Sequence, residues 1–118
     1  MMNNKEFSKL LEKRTLDFGV RIIRLSASLP NTPEGREIRK QITKSGTSVG
    51  ANYREANIAR SKADFRNKIR ICEGETSETQ YWLEMIVELG WLSKEEVKFE
   101  LRECGELLAI FTSISGKS

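Results

Sequence analysis

The repeat of apolar and small residues that crosses the segment KSGTSVGANYREA, Lys44 to Ala56, constrains the fold more than any other feature. Two glycines, three hydroxyl residues and an asparagine give this segment the composition of a loop. Its spacing is nevertheless helical, because steps of three and four residues run through it without a shift. The positions in register are Ile38, Ile42, Ser45, Val49, Asn52, Ala56, Ala59 and Ala63. We therefore predict one continuous helix whose middle carries small side chains.

The glycines of this segment indicate close contact with another helix. A glycine inside a helix costs ~1 kcal/mol relative to alanine, so a tertiary contact must compensate. Without side chains, two helix axes can approach more closely than the usual ~8–10 Å. The predicted close-packing residues are Gly46, Ser48, Gly50 and Asn52. A phosphate-binding loop is not supported, because the glycine spacing is wrong, no lysine follows Gly50 and no strand precedes.

Four amphipathic segments with short breaks between them predict an all-α, antiparallel up-down-up-down four-helix bundle. Proline occurs only at Pro30 and Pro33, so no later helix meets this breaker. Capping patterns mark three helix starts, at Thr32 before Pro33, at Ser61 with Asp64, and at Ser93 with Glu96. We predict a single domain, residues 1–118, with helices at roughly 4–29, 34–60, 62–90 and 94–114.

The third predicted helix is also small and polar in its middle, at CEGETSET, residues 72–79. In an antiparallel hairpin the centres of two consecutive helices lie side by side. We therefore expect the small-residue zones of the second and third helices to face one another.

The composition argues against several kinds of catalytic or cofactor site. Histidine is absent, which removes the commonest general base near neutral pH and the commonest zinc ligand. The two cysteines, Cys72 and Cys104, occupy core positions of their helices and are expected to be buried structural thiols. No apolar run is long enough to span a bilayer. The sequence thus predicts a cytoplasmic, non-enzymatic protein with no cofactor, no metal, no small-molecule substrate and no membrane contact.

Charged residues in the second and third helices suggest a polar cluster between them. Arg54, Glu55, Glu75 and Glu78 are the predicted members, beside Ser48. Paired carboxylates in a bundle raise the hypothesis of a two-metal site, but such sites use Glu-x-x-His pairs and this chain has no histidine. A hydrogen-bonded network that fixes helix register is the favoured interpretation, and a ligand or partner contact stays open.

The charge distribution is uneven along the chain. Residues 34–70 hold ten Lys/Arg against four Asp/Glu, whereas residues 71–118 hold four against ten. Pairing between the basic and acidic parts would explain this split, and so would binding to RNA or DNA. The candidate nucleic-acid contacts are Arg36, Arg39, Lys40, Lys44, Arg60, Lys62, Arg66 and Arg70. Tyr53 and Phe65 are the only aromatic residues interleaved with them, so base stacking is poorly supported.

A second apolar stripe on the first helix predicts self-association. It lies opposite the stripe that contains Phe18, and one four-helix core cannot bury both. The third helix adds apolar residues outside its main stripe. The candidate interface residues are Leu16, Val20, Ile23, Trp82 and Met85. A head-to-tail ring would also bring basic and acidic surfaces together.

The segments QITKSGTSVGANYREANIARSKADF and ETSETQYWLEMI identify a resemblance that covers nearly the whole chain. They resemble the four-helix-bundle proteins encoded in intervening sequences of bacterial 23S rRNA genes, which are often labelled ribosomal proteins. The fold is similar to that of the accessory variability determinant of diversity-generating retroelements, a ring of five subunits. The resemblance implies a non-enzymatic homopentamer. It also implies an alternative role as a nucleic-acid-binding accessory factor that partners rRNA or a reverse transcriptase.

Overall fold

The computed structural model describes residues 2–116 as four helices and their connections. The helices are α1 (Asn4–Ser26), α2 (Pro33–Asn57), α3 (Lys62–Glu88) and α4 (Lys98–Gly116). Consecutive helices pack against each other, while α1 and α4 meet less extensively. The predicted all-α four-helix bundle is confirmed.

Local sequence explains where the first three helices begin. The Asn3 side chain accepts a hydrogen bond from the Glu6 amide, and the Thr32 hydroxyl accepts one from the Gly35 amide. The Ser61 hydroxyl accepts from the Asp64 amide at 3.0 Å. Each cap satisfies a backbone donor that has no partner within its helix.

The last helix begins later than the sequence suggested. Ser93 and Glu96 form the reciprocal capping box, with distances of 2.9 and 3.1 Å. The residues that follow, however, form a hydrogen-bonded turn, and regular helix starts only at Lys98. This turn still places Val97 in the core, fully buried.

The helices α1, α2 and α3 end two or three residues before the predicted positions, and α4 ends two residues beyond its predicted end. Gly90, which the apolar repeat had included in α3, is exposed and takes φ 73°, a left-handed conformation that ends the helix. The Trp91 amide donates to the Ile86 carbonyl and the Gly90 amide to the Val87 carbonyl. These two bonds satisfy carbonyl groups that the end of α3 would otherwise leave unpaired.

The core fills the space between all four helices. Phe18, Ile42, Leu83 and Phe111 are among its fully buried side chains. Tyr53, one of the two aromatic residues considered for base stacking, lies in this core with its ring centroid 5.9 Å from that of Phe111. Burying apolar side chains of this size contributes ~1.5–3 kcal/mol each relative to exposure.

Candidate interaction surfaces

The glycines of α2 contact α1. A Cβ added at Gly46 would lie 2.7 Å from Cγ2 of Ile22, and one added at Gly50 would lie 3.1 Å from Oγ1 of Thr15. Gly19 of α1 faces the same contact, because its added Cβ would lie 3.6 Å from the Gly46 carbonyl oxygen. The missing side chains therefore let α1 and α2 approach closely.

The small residues of α2 that face α3 are hydroxyl-bearing residues and not the glycines. The Ser45 and Thr79 hydroxyl oxygens lie 2.8 Å apart in a hydrogen bond, and both residues are fully buried. The Cys72 thiol donates to the Val49 carbonyl at 3.4 Å. The expectation that the small zones of α2 and α3 face one another thus holds for these hydroxyl residues, whereas Gly46 lies on the other flank of α2.

Ser48 and Asn52 both bond to carbonyl groups of their own helix, and the Ser48 hydroxyl also lies within reach of the Glu75 carboxylate on α3. The Ser48 hydroxyl donates to the Lys44 carbonyl at 2.6 Å, and the Asn52 side-chain amide donates to the Ser48 carbonyl at 2.8 Å. Both residues are half-buried. Ser48 and Asn52 do not form the close contact that Gly46 and Gly50 make with α1.

Part of the predicted polar cluster forms, around Glu75. Burial raises the pKa of the Glu75 carboxyl, and the neighbouring Glu78 raises it further. The positive charge of Lys44 and a hydrogen bond from Ser48 act in the opposite direction. What forms is therefore a half-buried Glu75 carboxylate, with Lys44 and Ser48 of α2 and Glu78 of α3 as its neighbours.

The structure does not bring the four predicted members together, and this part of the prediction is wrong. Glu55 pairs with Lys68 at 2.8 Å, an interaction that raises the pKa of Lys68. Glu78 accepts a hydrogen bond from the Trp82 indole. Arg54 lies on the far side of α2, beside α1. Glu75 and Glu78 thus remain neighbours on α3, whereas Glu55 is paired with Lys68 and Arg54 lies on the other flank of α2.

An apolar groove runs along the outside of the α1–α2 contact. It has a volume of about 360 Å³, with small residues of both helices at its floor. Leu16, Val20 and Ile23 line it and are 49%, 36% and 47% exposed. Arg54 and Glu12 are the charged residues that line it. The groove follows from the two-sided apolar pattern of α1, since one stripe faces the core and the other faces solvent.

The second predicted interface patch lies on α3. Trp82 and Met85 are half-buried, and their outer surfaces adjoin Leu89, which is 50% exposed. Met85 and Leu89 also line a wider depression of about 750 Å³, together with Trp91 and Ile38. This apolar surface is separate from the α1–α2 groove.

The candidate nucleic-acid contacts do not form one continuous basic face. Arg36, Arg39 and Lys40 lie near the start of α2, whereas Arg60 lies three residues beyond its end, so most of the length of the helix separates them. The Arg39 guanidinium is half-buried and donates to the Leu29 carbonyl. The second group, at the α2–α3 connection and the start of α3, comprises Arg60, Lys62, Arg66 and Arg70.

Part of the uneven charge is neutralised within the chain, between α1 and α4. Arg14 donates to both oxygens of Glu103 at 2.7 and 2.8 Å and to Glu106 at 2.6 Å. These bonds raise the pKa of the Arg14 guanidinium. Arg21 pairs with the buried carboxylate of Glu100 at 3.0 Å. The sequence patterns did not identify these pairs, because their members are about 80 or 90 residues apart.

Both thiols are buried and held in their neutral form. Cys72 and Cys104 are 0% exposed. Burial raises the pKa of the Cys72 thiol to about 12, and burial also raises that of Cys104 to about 12. A thiol that stays protonated is a poor nucleophile.

Two further kinds of site are absent from residues 2–116. No group of three or more His, Cys, Asp or Glu side chains in this part of the chain is arranged to hold a metal ion. None of its helices has the length and hydropathy of a membrane span.

The fold and its surfaces define an all-helical bundle protein with an exposed apolar groove between α1 and α2. Residues 9–113 match the model of a family described as 23S rRNA-intervening sequence protein. The chain belongs to this family.

A solved structure supports the same assignment. The chain is similar to a protein of unknown function of the S23 ribosomal protein family from Bacteroides thetaiotaomicron VPI-5482, with 38% identity and a TM-score of 0.82. The alignment covers 88% of this chain and 96% of the other. A search of curated proteins found no significant match.

Proposed function

We propose that this protein is a non-enzymatic scaffold that assembles with copies of itself through the α1–α2 groove. The observation that carries the proposal is the solvent exposure of Leu16, Val20 and Ile23 in one continuous groove. Large apolar side chains gathered in a concave surface are typical of a protein–protein contact.

The architecture of α1 supports this proposal. Phe18 and Ile22 already bind α1 to the core, and the opposite stripe is only half-buried in a single copy. Burying that stripe against a partner would remove its apolar area from water, at roughly 25 cal/mol per Å². The small residues at the floor would admit a helix from a second copy. The resemblance seen in the sequence implies five copies.

Substitution in the groove tests this proposal. We expect Val20→Glu to dissociate the assembly, because a carboxylate in an apolar contact loses its hydration. The matched control is Ile58→Glu, which alters an exposed apolar residue outside the groove. Sedimentation velocity measures the mass of each protein, and circular dichroism checks its helix content. Loss of assembly in the control alone, or in neither variant, would contradict the proposal.

A second candidate function, nucleic-acid binding, is favoured by the basic group at the α2–α3 connection. Arg60, Lys62, Arg66 and Arg70 make no ion pair with an acidic residue in the part of the chain that the structure describes. Such a group could contact phosphates of a duplex or a folded RNA, as in rRNA or the template of a reverse transcriptase. Tyr53 is buried, so contact with phosphates is preferred to base stacking.

Charge reversal at this group tests the second candidate. We expect the affinity for RNA or duplex DNA to fall with salt concentration, linearly on logarithmic axes, and Arg66→Glu/Arg70→Glu to abolish binding. The double variant Arg36→Glu/Lys40→Glu makes the same change in net charge at the other end of α2. Fluorescence anisotropy at ~50 mM salt measures both. Equal losses in the two variants would indicate a nonspecific effect of net charge.

A further inference from the structure

We infer that the depression between the start of α2 and the end of α3 binds a different protein, through a segment that carries lysine or arginine beside apolar side chains. Residues between 30 and 38 line one side of this α2–α3 depression, and Met85, Leu89 and Trp91 line the other. Its volume is about 750 Å³. The inference does not depend on the proposed self-association, because none of these residues lines the α1–α2 groove.

The floor of the α2–α3 depression is apolar. Ile38, Met85 and Trp91 are half-buried there, and Leu89 is 50% exposed. Tryptophan is frequent among the residues that supply most of the binding free energy of a protein–protein contact. The flexible thioether of methionine adapts to side chains of different shape. The depression therefore offers contacts for apolar side chains of a partner.

The charged residues that line the depression, Glu34 and Glu37, are both acidic. They lie three residues apart on α2, so their side chains share one face of the helix. Within residues 2–116 neither makes an ion pair with a basic residue. Glu37 accepts a hydrogen bond from the Gln41 side-chain amide at 2.9 Å. Two such carboxylates attract lysine or arginine and repel phosphate, which favours a cationic protein segment over a nucleic acid.

The basic residues that follow these carboxylates in the sequence do not occupy the depression. Arg36 donates to the side-chain oxygen of Asn31 at 3.2 Å, and the Arg39 guanidinium donates to the Leu29 carbonyl. Arg36, Arg39 and Lys40 do not line the depression. Its edge is therefore acidic although α2 begins in the basic part of the chain.

Both sides of the depression are held in shape before a partner binds. The proline ring fixes φ at Pro30 and Pro33. A Cβ added at Gly35 would collide with the Pro30 carbonyl oxygen, so this loop packs directly on the first turn of α2. On the other side, the Trp91 amide donates to the Ile86 carbonyl at 3.2 Å. A pre-formed site loses less conformational entropy on binding.

The open form of the depression suits a polypeptide better than a small cation. Pro33, Glu34, Glu37 and Leu89 are exposed, so solvent reaches the site along its edge. A small-molecule site usually encloses most of its ligand. A protein segment can instead lie across an open surface, with apolar atoms on the floor and charged ends of its side chains near the carboxylates.

Titration with a short helical peptide of leucine and lysine, at low salt, tests the inference. Trp82→Phe leaves Trp91 as the only tryptophan of the chain, so its fluorescence reports on the depression. We expect a saturable shift of the emission to shorter wavelength, because the bound peptide removes water from the indole. A peptide with glutamate in place of lysine should produce no shift.

Variants made in this single-tryptophan protein separate the two parts of the recognition. Glu34→Gln/Glu37→Gln should weaken binding about tenfold, because two exposed ion pairs are lost. Asp17→Asn/Glu73→Gln removes the same charge outside the depression and should leave the affinity unchanged. Leu89→Ser should also weaken binding, through the apolar floor. Circular dichroism checks the helix content of each variant.

Four results would overturn the inference. One is an unchanged Trp91 emission with the lysine peptide, and another is equal binding of the lysine and glutamate peptides. Equal losses in the two charge variants would show nonspecific attraction to acidic surfaces. Loss of binding in Val20→Glu would place the peptide in the α1–α2 groove. If the Trp91 emission shifts with protein concentration in the absence of peptide, a second copy of this chain occupies the depression, which also refutes a different partner.

Discussion

The two flanks of α2 bind their neighbours by different chemistry. On the α1 side, Gly46 and Gly50 allow direct contact between helix backbones and apolar side chains. On the α3 side, the contact contains a buried hydrogen bond between Ser45 and Thr79 and a carboxylate at Glu75. One flank depends on the absence of side chains, and the other depends on the correct pairing of polar groups.

This difference indicates how each contact responds to substitution. Close packing has no space to spare, so any added atom must displace a neighbour. A hydrogen-bonded contact can lose one partner and keep another, since the Thr79 hydroxyl also lies 2.8 Å from the Glu75 carbonyl. The α1 flank should therefore be the more sensitive of the two.

The largest effect is expected for Gly46→Ala. The new Cβ would lie within 3.0 Å of three Ile22 atoms, and Ile22 is fully buried and cannot move away freely. Overpacking of this kind costs ~1–3 kcal/mol, which outweighs the ~1 kcal/mol that alanine gains in helix propensity. Because Ile22 is fully buried, we expect the upper end of this cost, ~3 kcal/mol, and hence a net loss of about 2 kcal/mol in the free energy of unfolding, measured with urea at one protein concentration.

Gly105→Ala is the matched control for that prediction. Gly105 also lies inside a helix, but an added Cβ would meet no atom within 4 Å. Alanine should therefore stabilise the protein by about 1 kcal/mol through helix propensity alone. A stabilising effect of Gly46→Ala similar to that of the control would show that the α1 flank is not closely packed.

A smaller effect is expected on the other flank. Ser45→Ala and Thr79→Val should each cost about 1 kcal/mol, because each removes one side of a buried hydrogen bond. The double variant should lose about 0.5 kcal/mol less than the sum, since the second change removes a hydroxyl that has already lost its partner. Urea unfolding of the four proteins measures this coupling. Strict additivity would show that the two hydroxyls do not interact.

The smallest effect is expected for Glu75→Gln. Because the pKa of Glu75 is raised, folding favours the protonated carboxyl, so this group stabilises the fold at low pH and loses that contribution as pH rises through its raised pKa. Glutamine stays neutral throughout. The variant should be slightly more stable than the wild type at pH 7 and equal to it near pH 4. A variant less stable at pH 7 would mean that attraction to Lys44 dominates.

The helical period predicted most of the fold because each helix buries one stripe, and a stripe is a local property of the sequence. It identified the continuous α2 and the buried positions of Val49 and Thr79. It also implied an exposed stripe on α1, where Leu16 now lines a groove. Helix ends were less accurate, since Gly90 has the spacing of a core residue but the conformation of a helix end.

Contacts between distant helices were harder to predict. The sequence does not state that the glycines of α2 face α1, although Thr15, Gly19 and Ser26 repeat small buried residues along α1 and could have indicated it. Nor did the sequence show that Arg54 and Glu75 lie apart in the fold. Two charged residues on neighbouring helices can lie on different flanks of those helices. Spacing fixes the face of one helix, and only packing decides which neighbour that face meets.

The molar mass of the wild-type protein in solution tests the central claim most directly. Sedimentation equilibrium over a micromolar concentration series should give a defined multiple of the 13.5 kDa chain mass, which is about 68 kDa for five copies. Such a value would agree with burial of the α1–α2 groove between copies. A single species of 13.5 kDa at every concentration would contradict the account, because the α1–α2 groove would then stay exposed to solvent and would not bind a second copy of the chain.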